Sequence, residues 1–468
     1  MMTRRVFLRD AAYAAAAAGV PSLVAGAADA LGAADLTLGL LSDIHLDATP
    51  SPSGAAKMFR HALEYFRSRH VDGVLISGDL ANAGLETELE LVAKIWFDVF
   101  PNGRHGDGSP VANLMHYGDH DAEKRFYSPN LKEKFTSVGW SVPRSLSEGE
   151  LRKEAWERLF HEPWSPVRHR TVRGYDFVLS NFMREHSRSA PENLGEIFRS
   201  LKLDAAKPFF YSQHRWMEGT YLTDEEMWGR DNGVAVKALS AFPNAVAFQG
   251  HTHYMLTDDR GVWINRFIAI NNGSLLNQAV GRCHENGKDI SWYKNDPARN
   301  SQMPAVRGDD IHGGMVLKLK DDIATLERRD FGSDRALGPD LVFSVDPAKR
   351  GDFCDAARAK RSLRPNQPDP SQVAVTRGTG KNRQGEAVAQ VTVAFPMVRS
   401  DAAHARAHDF VVRALDPNGR IVCEKRVFSP GINRPEELEG PCATCVFAET
   451  EVVGAVRYEV RARNCWGI

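Results

Sequence analysis

Short apolar runs alternate with amphipathic stretches from residue 35 onward. The stretch AAKMFRHALEYFRSRH carries apolar residues at helical spacing, whereas LTLGLL and DGVLIS are the nearly continuous apolar runs of buried strands. The pattern predicts helices at 55–70 and 86–100, and strands at 36–41, 72–77, 111–117, 175–180, 208–213, 245–250, 266–275, 313–320 and 323–331. Strands that alternate with helices favour parallel pairing. We therefore predict an α/β fold in which layered β-sheets are flanked by helices.

The pattern changes after residue 345. Residues 345–372 lack alternation and hold several Pro and Arg residues, which is typical of a linker. Residues 373–468 then show strands of period two separated by turn signals such as DPNGR, which predicts an all-β sandwich. The closing YEVRARNCWG resembles the last strand of a fibronectin type III domain. The predicted division is therefore 1–34, 35–344, 345–372 and 373–468.

The first 34 residues form a predicted export segment. Arg4 and Arg5 precede an uncharged stretch, 11–28, and small residues follow it, so the segment resembles a twin-arginine signal. A permanent membrane anchor is the alternative, but the stretch is rich in Ala and Gly and contains Pro21. We expect a periplasmic or secreted protein with no stable membrane span after signal cleavage.

The charge and cysteine content of the chain disfavour several classes of function. The 468 residues carry a formal net charge of −1, so no basic excess is available for a general nucleic-acid or membrane-surface binder. Four of the six cysteines lie after residue 400, which allows disulfides in the C-terminal part. The CATC stretch has no second CxxC partner, so a redox or zinc site is disfavoured there.

Chemically active residues follow the predicted strands, at the edge where open α/β sheets build their sites. They are Asp43 and His45, Asp79, Asp119 with His120 and Asp121, His214, and His251 with His253. Carboxylate and imidazole ligands suit divalent Zn, Mn or Fe, and one carboxylate can bridge two ions. We find neither a nucleophilic Ser or Cys motif nor a Gly-rich phosphate loop.

These motifs, in this order, resemble the calcineurin-like metallophosphoesterase family over about residues 35–335. The resemblance implies a core of that family's type and two divalent metal ions with a metal-bridging hydroxide as nucleophile. It implies that one ion is held by Asp43, His45, Asp79 and His253, and the other by Asp79, Asp119, His214 and His251. It also implies that His120 contacts the phosphate and protonates the leaving oxygen, and that Asp121 orients His120 through a hydrogen bond.

Two positions depart from the family pattern. Asn82 stands where the purple acid phosphatases place an iron-bound Tyr, which disfavours that version of the site. Asp119 stands where the family usually has Asn. Two M²⁺ ions, three carboxylates and one hydroxide sum to zero charge, so one hypothesis is a shifted metal or substrate preference. The other is that Asp119 replaces Asn as an oxygen ligand with little consequence.

The resulting hypothesis is an exported phosphoesterase that hydrolyses phosphate mono- or diesters. The alternative is a cell-surface binding protein that uses the β-sandwich and keeps a vestigial metal site. Arg215, Tyr254 and Asn272 are open as substrate contacts or ordinary loop residues, and His116 as a support of the site or a packed core residue. The sequence leaves the oligomeric state open.

Overall fold

The computed structural model describes residues 34–123, 129–183, 189–220, 231–280, 306–381 and 385–468. Residues 1–33, on which the predicted export segment falls, lie outside these ranges, as do Cys283, His186 and His284. Within the described ranges, every helix is too short or too polar to cross a membrane.

The core alternates strands and helices in chain order. Its first part comprises β1 (Leu36–Leu41), α1 (Ala55–Ser68), β2 (Gly73–Ser77), α2 (Glu86–Val99), β3 (Ala112–His116), α3 (Asp119–Ala122), α4 (Pro129–Thr136), α5 (Leu151–Phe160), β4 (Val167–Val172) and β5 (Tyr175–Ser180). Its second part comprises α6 (Leu194–Ser200), β6 (Phe209–Ser212), α7 (Val234–Leu239), β7 (Ala245–Gln249), β8 (Val262–Ile264), β9 (Ile268–Asn271), β10 (Gln278–Val280), β11 (Val306–Gly308), β12 (Gly313–Lys320), β13 (Ile323–Asp330), β14 (Arg335–Ala336) and β15 (Leu341–Ser344).

The C-terminal part contains two helices and then strands. They are α8 (Arg350–Phe353), α9 (Asp355–Arg361), β16 (Ala374–Lys381), β17 (Ala387–Pro396), β18 (Asp409–Leu415), β19 (Ile421–Phe428), β20 (Cys442–Ala448) and β21 (Arg457–Arg463).

Two mixed sheets form the centre of the core. The first has the order β14-β13-β12-β1-β2-β3, with β15 also paired to β13, and the second has the order β4-β5-β6-β7-β9-β8. Strands β1, β2 and β3 are parallel, as are β5, β6, β7 and β9, whereas antiparallel strands complete both sheets. The carboxyl ends of the parallel strands therefore carry the loops that the sequence analysis singled out.

Successive side chains of each strand point to opposite faces of its sheet, so the core is built in four layers. Val74 and Ile76 of β2 face the cluster shared with α1 and α2, while Leu75 faces the second sheet, where Phe210 and Phe248 lie. On the far side of the second sheet, α6 and α7 pack against the other faces of β6 and β7. The layers are helix, sheet, sheet and helix, which confirms the predicted α/β class with helix-flanked sheets.

The C-terminal region is the predicted antiparallel β structure. One sheet has the order β16-β17-β20 and the other β19-β18-β21, with Phe395, Phe410 and Phe447 in the core between them. The CATC stretch is strand β20, which the sequence analysis did not predict. Cys442 is exposed and Cys445 is buried because an odd offset places them on opposite faces, so the two thiols cannot form one site. No disulfide joins the five described cysteines.

The segment 345–372 contains α8 and α9, so it is more ordered than the linker that the sequence predicts. Arg350 donates to the carbonyl oxygen of Arg266, and Arg358 donates to the carbonyl oxygen of Asp259 at 2.9 Å. Both contacts fasten the segment to the second sheet and its loops. The domain boundaries and the fibronectin type III resemblance stay predictions.

A buried ionic chain connects the β-sandwich to the core. Asp258 and Arg260 of the core form a bidentate pair at 2.7 and 2.9 Å, and Arg260 Nη2 lies 3.2 Å from His408 Nε2 of the sandwich. His408 Nδ1 lies 3.1 Å from Asp409 Oδ2, which also accepts from Arg426. Burial opposes the ionised form, but Arg426 and His408 hold the pKa of Asp409 well below its usual range. Breaking a buried pair leaves an uncompensated charge, which costs about 3–5 kcal/mol.

We expect Asp409→Asn to lower the free energy of unfolding by about 3 kcal/mol at pH 7, measured by urea denaturation. A depressed native pKa contributes stability above the unfolded-state value of about 3.9 that disappears as the pH falls further. The difference between wild type and variant should therefore shrink below about pH 4. Glu437→Gln, at an exposed position of the same region, is the matched control. Equal stability of Asp409→Asn and wild type would contradict the proposal that these buried ionic contacts stabilise the fold.

Candidate metal centre

Five loops bring the predicted residues together where the two sheets meet. The loops after β1, β2 and β3 come from the first sheet, and the loops after β6 and β7 come from the second. The donor atoms form three groups in which all ligand atoms lie within 4.8 Å of one another. These are Asp79 with Asp119, His214 and His251; Asp43 with His45 and His253; and His45 with Asp79 and His120.

Asp79 belongs to the group with Asp119, His214 and His251, and it also faces the group of Asp43, His45 and His253. Its Oδ2 is 3.2 Å from His214 Nε2 on one side and 3.6 Å from His45 Nε2 on the other. On the His45 side, His253 Nε2 lies 3.2 Å from Asp43 Oδ1 and 3.2 Å from His45 Nε2. One carboxylate therefore faces both sets of donors, as a ligand shared between two ions requires.

The backbone of this cluster is strained. Five of the seven predicted ligands adopt the left-handed region that non-glycine residues avoid, namely Asp43 (φ 52°), His45 (φ 44°), Asp79 (φ 53°), His251 (φ 75°) and His253 (φ 51°). Each such residue costs on the order of 1 kcal/mol or more, and such strain collects at functional sites. The fold retains it because these turns aim the side chains at one point.

Glycines allow the loops to approach this closely. A Cβ on Gly118 would overlap the Asp79 carboxylate, and a Cβ on Gly250 would overlap Ser42 and lie 2.7 Å from Asp43 Oδ2. Both residues stand directly before candidate ligands in their loops. A side chain at either position would push two of the loops apart.

Hydrogen bonds fix the orientation of the imidazole rings. His214 Nδ1 lies 2.7 Å from the carbonyl oxygen of Ser77, and His253 Nδ1 lies 2.7 Å from Asn277 Oδ1. Each ring therefore donates its Nδ1 proton away from the cluster and points Nε2 into it. Metal-bound histidines have this arrangement, in which an acceptor behind the ring fixes the tautomer.

Three carboxylates share the cluster almost without solvent. Asp43 and Asp119 are 0% exposed and Asp79 is 1% exposed. Burial would raise their pKa values, but the charges of His253, His214 and His251 hold the pKa of each carboxyl below its ordinary value. Burial lowers the pKa of His251 to about 4, so its charge acts on Asp119 only at acidic pH, and at pH 7 the neutral ring offers a lone pair. Buried anions need compensating charge, and this donor set fits divalent cations.

The immediate surroundings of His120 and Asp121 differ from the sequence prediction. His120 Nδ1 lies 2.7 Å from the carbonyl oxygen of Asn82, and the backbone N–H of His120 donates to Asp79. The Asp121 carboxylate accepts the backbone N–H groups of Leu80, Ala81 and Gly118 at 2.7–3.1 Å. Asp121 thus clamps two loops to each other, and the orientation of His120 comes from the Asn82 carbonyl.

Asp119 has a cationic neighbour that the sequence analysis did not pair with it. Arg215 Nη2 lies 3.2 Å from Asp119 Oδ2 and 3.4 Å from Glu123 Oε1. The charge count made from the sequence left this guanidinium out. Arg215 is therefore part of the cluster, not an ordinary loop residue.

Of the other residues that the sequence left open, His116 and Asn272 lie beneath the site and Tyr254 lies in the core. His116 Nε2 lies 2.7 Å from Ser212 Oγ, which lies 3.0 Å from Ser77 Oγ, and Asn272 donates to Ser77 Oγ. These hydrogen bonds join the two sheets beneath the candidate ligands. Burial lowers the pKa of His116 to about 3, so the ring is neutral. Tyr254 is buried and donates to Asp258, which places its hydroxyl in the core rather than at the site.

Comparisons with known proteins are distant. No family model matches the chain, and no curated protein matches it. A dimetal phosphatase from Danio rerio is 12% identical with a TM-score of 0.38, over 67% of this chain and 100% of its own. A predicted phosphoesterase from Streptococcus pneumoniae is 11% identical with a TM-score of 0.28, over 66% and 97%. Vacuolar protein sorting 29 from Cryptosporidium parvum is 12% identical with a TM-score of 0.28, over 66% and 97%. These similarities are too weak to assign an activity.

The shared position of Asp79 predicts unequal losses of metal. Asp43→Asn removes a donor of one group and should lower the bound metal from about two ions to about one, measured by elemental analysis after equilibrium dialysis. Asp79→Asn removes the carboxylate that faces both groups and should leave less than about one ion. Asp47→Asn, in the same loop as Asp43 but outside the three groups, is the control. Equal metal content in Asp43→Asn and Asp79→Asn would contradict the shared position.

Proposed function

We propose that this chain is a metal-dependent hydrolase of phosphoric esters with a dinuclear centre. One observation carries the proposal, namely the Asp79 carboxylate between two groups of donors, at 3.2 Å from His214 Nε2 and 3.6 Å from His45 Nε2. The proposed ligands are those of the sequence analysis: Asp43, His45, Asp79 and His253 for one ion, and Asp79, Asp119, His214 and His251 for the other. Mn, Zn and Fe suit these donors.

Two divalent ions bound there would supply positive charge to the phosphate and lower the pKa of a water molecule. The chain itself supplies geometry and a proton. The side chain of His120 is partly exposed while its neighbours Asp119 and Asp121 are buried, so this ring faces the open side of the cluster. The Asn82 carbonyl accepts from Nδ1, which assigns the substrate contact to Nε2 of the same ring, and the ring lies in one group of donors with His45 and Asp79. His120 Nε2 is thus the group that contacts the phosphate.

Hydrolysis breaks the bond between phosphorus and the leaving oxygen, which then needs a proton. We assign this proton transfer to His120, which is a general acid of the type that contributes about 10²–10⁴-fold to a rate. Asp121 contributes by holding the loops after β2 and β3 together, because its carboxylate binds backbone amides of both. Both phosphate monoesters and diesters fit this chemistry.

The alternative of a binding protein with a vestigial site has less support. A decayed site would have lost several ligands, whereas all seven predicted ligands are present and lie in the groups of donors. Strained backbone at five of them would also have no reason to persist. For the β-sandwich we propose a bracing role, because its contacts reach the loop that follows His253.

Turnover of paired chromogenic monoester and diester substrates tests the proposal. The metal-stripped protein should be inactive, and Mn, Zn, Fe or Mg added singly should restore activity to different extents. His120→Gln should lower kcat by about 10²–10⁴-fold while bound metal stays unchanged. His169→Gln, on the distant strand β4, is the matched control and should keep full activity. Turnover that survives chelation, or that His120→Gln leaves intact, would refute the proposal.

We also propose export through the twin-arginine route to the periplasm or the medium, on the basis of Arg4 and Arg5 before the uncharged stretch. Replacing both residues with Lys keeps the charge, so only recognition of the arginine pair changes. Arg4→Lys with Arg5→Lys should leave the protein in the cytoplasm on cell fractionation, whereas the control Arg9→Lys should be exported. Export of the double variant would contradict this route.

A further inference from the structure

Arg215 lies beside the group of donors that contains Asp119, and its guanidinium contacts Phe182, Asp119 and Glu123. Its guanidinium carbon lies 4.8 Å from the ring centroid of Phe182, which is fully buried. Its Nη2 faces Asp119 Oδ2 at 3.2 Å and Glu123 Oε1 at 3.4 Å. The side chain is only 16% exposed. Partners on two segments, 119–123 and the loop after β5, thus give this cation a fixed position.

Asp119 uses its two oxygens for two purposes. Oδ1 faces the histidines, at 3.4 Å from His214 Nε2 and 3.6 Å from His251 Nδ1. Oδ2 faces Arg215. A carboxylate whose second oxygen is paired with a guanidinium presents one oxygen to a cation, much as a neutral amide would.

The charge of Arg215 acts more on Asp119 than on Glu123. Asp119 is fully buried, where an ion pair is weakly screened, whereas Glu123 is 15% exposed and its charge is partly screened by solvent. Counting Arg215 but not the partly screened Glu123, the two ions, three carboxylates and one hydroxide sum to +1 rather than to zero. A centre with positive charge attracts a phosphate dianion more strongly than a neutral one.

We propose that Arg215 is a positioning residue that neutralises Oδ2 of Asp119, so that Asp119 serves as a one-oxygen ligand and the centre keeps a net positive charge for phosphate. This inference rests on the proposed function and identifies which residue sets the affinity of the site for its anionic substrate. It also favours the second of the two hypotheses on Asp119, in which aspartate replaces asparagine with little consequence.

The test compares wild type with Arg215→Ala, Arg215→Lys, Asp119→Asn and the double variant Asp119→Asn/Arg215→Ala. The first readout is binding of inorganic phosphate to the metal-loaded proteins by titration calorimetry. Arg215→Ala should weaken phosphate binding by about tenfold. The double variant should recover most of the loss, since it removes one charge of each sign, and Arg215→Lys should stay close to wild type.

The second readout is the melting temperature of the same five metal-free proteins. Arg215→Ala leaves a buried carboxylate without its guanidinium and should melt lower than the double variant, which leaves neither charge. This comparison needs neither bound metal nor activity, so it separates a failure of this inference from a failure of the proposed function. If Arg215→Ala does not fold, Arg215→Lys and the double variant still give the comparison with wild type.

Two results would overturn the inference. Phosphate binding that is as weak in the double variant as in Arg215→Ala would mean that Arg215 contacts the anion directly and not through Asp119. Equal melting temperatures of Arg215→Ala and the double variant would mean that the two side chains are not coupled. Recovery of both properties in the double variant would support the inference.

Discussion

The structure is organised around the burial of three carboxylates, Asp43, Asp79 and Asp119, that share one space and are almost inaccessible to solvent. Like charges at this depth repel strongly, so the arrangement persists only if cations compensate them. The residues around the three carboxylates bring the loops together and direct donors and positive charge at them. Candidate ligands adopt left-handed backbone, glycines at 118 and 250 allow the loops to approach closely, and acceptors behind His214 and His253 leave Nε2 of both rings directed at the cluster. Arg215 supplies a fixed positive charge at one side.

The rest of the fold holds this cluster rigid. The two sheets contribute different ligands, so their relative position must be fixed, and the hydrogen bonds among His116, Ser212 and Ser77 join the sheets directly beneath the ligands. The β-sandwich adds support from the other side. Asn433 donates to the carbonyl oxygen of Gln278, whose side chain accepts the backbone N–H of Leu256, three residues after His253. The sandwich thereby braces the loop that carries His251 and His253.

The sequence predicts the class of fold and the membership of the cluster well, because both follow from local pattern. A ligand that directly follows an apolar strand must lie at the carboxyl edge of the sheet, and Asp43, Asp79 and His214 all do so. The sequence does not predict contacts that depend on the path of a loop. The Asn82 carbonyl behind His120 is a backbone atom, and Arg215 meets Asp119 across 96 residues. Strand β20 escapes prediction because its CATC letters suggest cysteine chemistry, and helices α8 and α9 escape because Pro and Arg around them are typical of a linker.

Anomalous diffraction from crystals of the protein grown with manganese would locate bound ions relative to the Asp79 carboxylate. A dinuclear centre at Asp79 should give two anomalous peaks about 3.5–4 Å apart, one on each side of its carboxylate. One peak should lie among Asp43, His45 and His253, and the other among Asp119, His214 and His251. Manganese bound only at surface carboxylates, with no peak beside Asp79, would contradict the account.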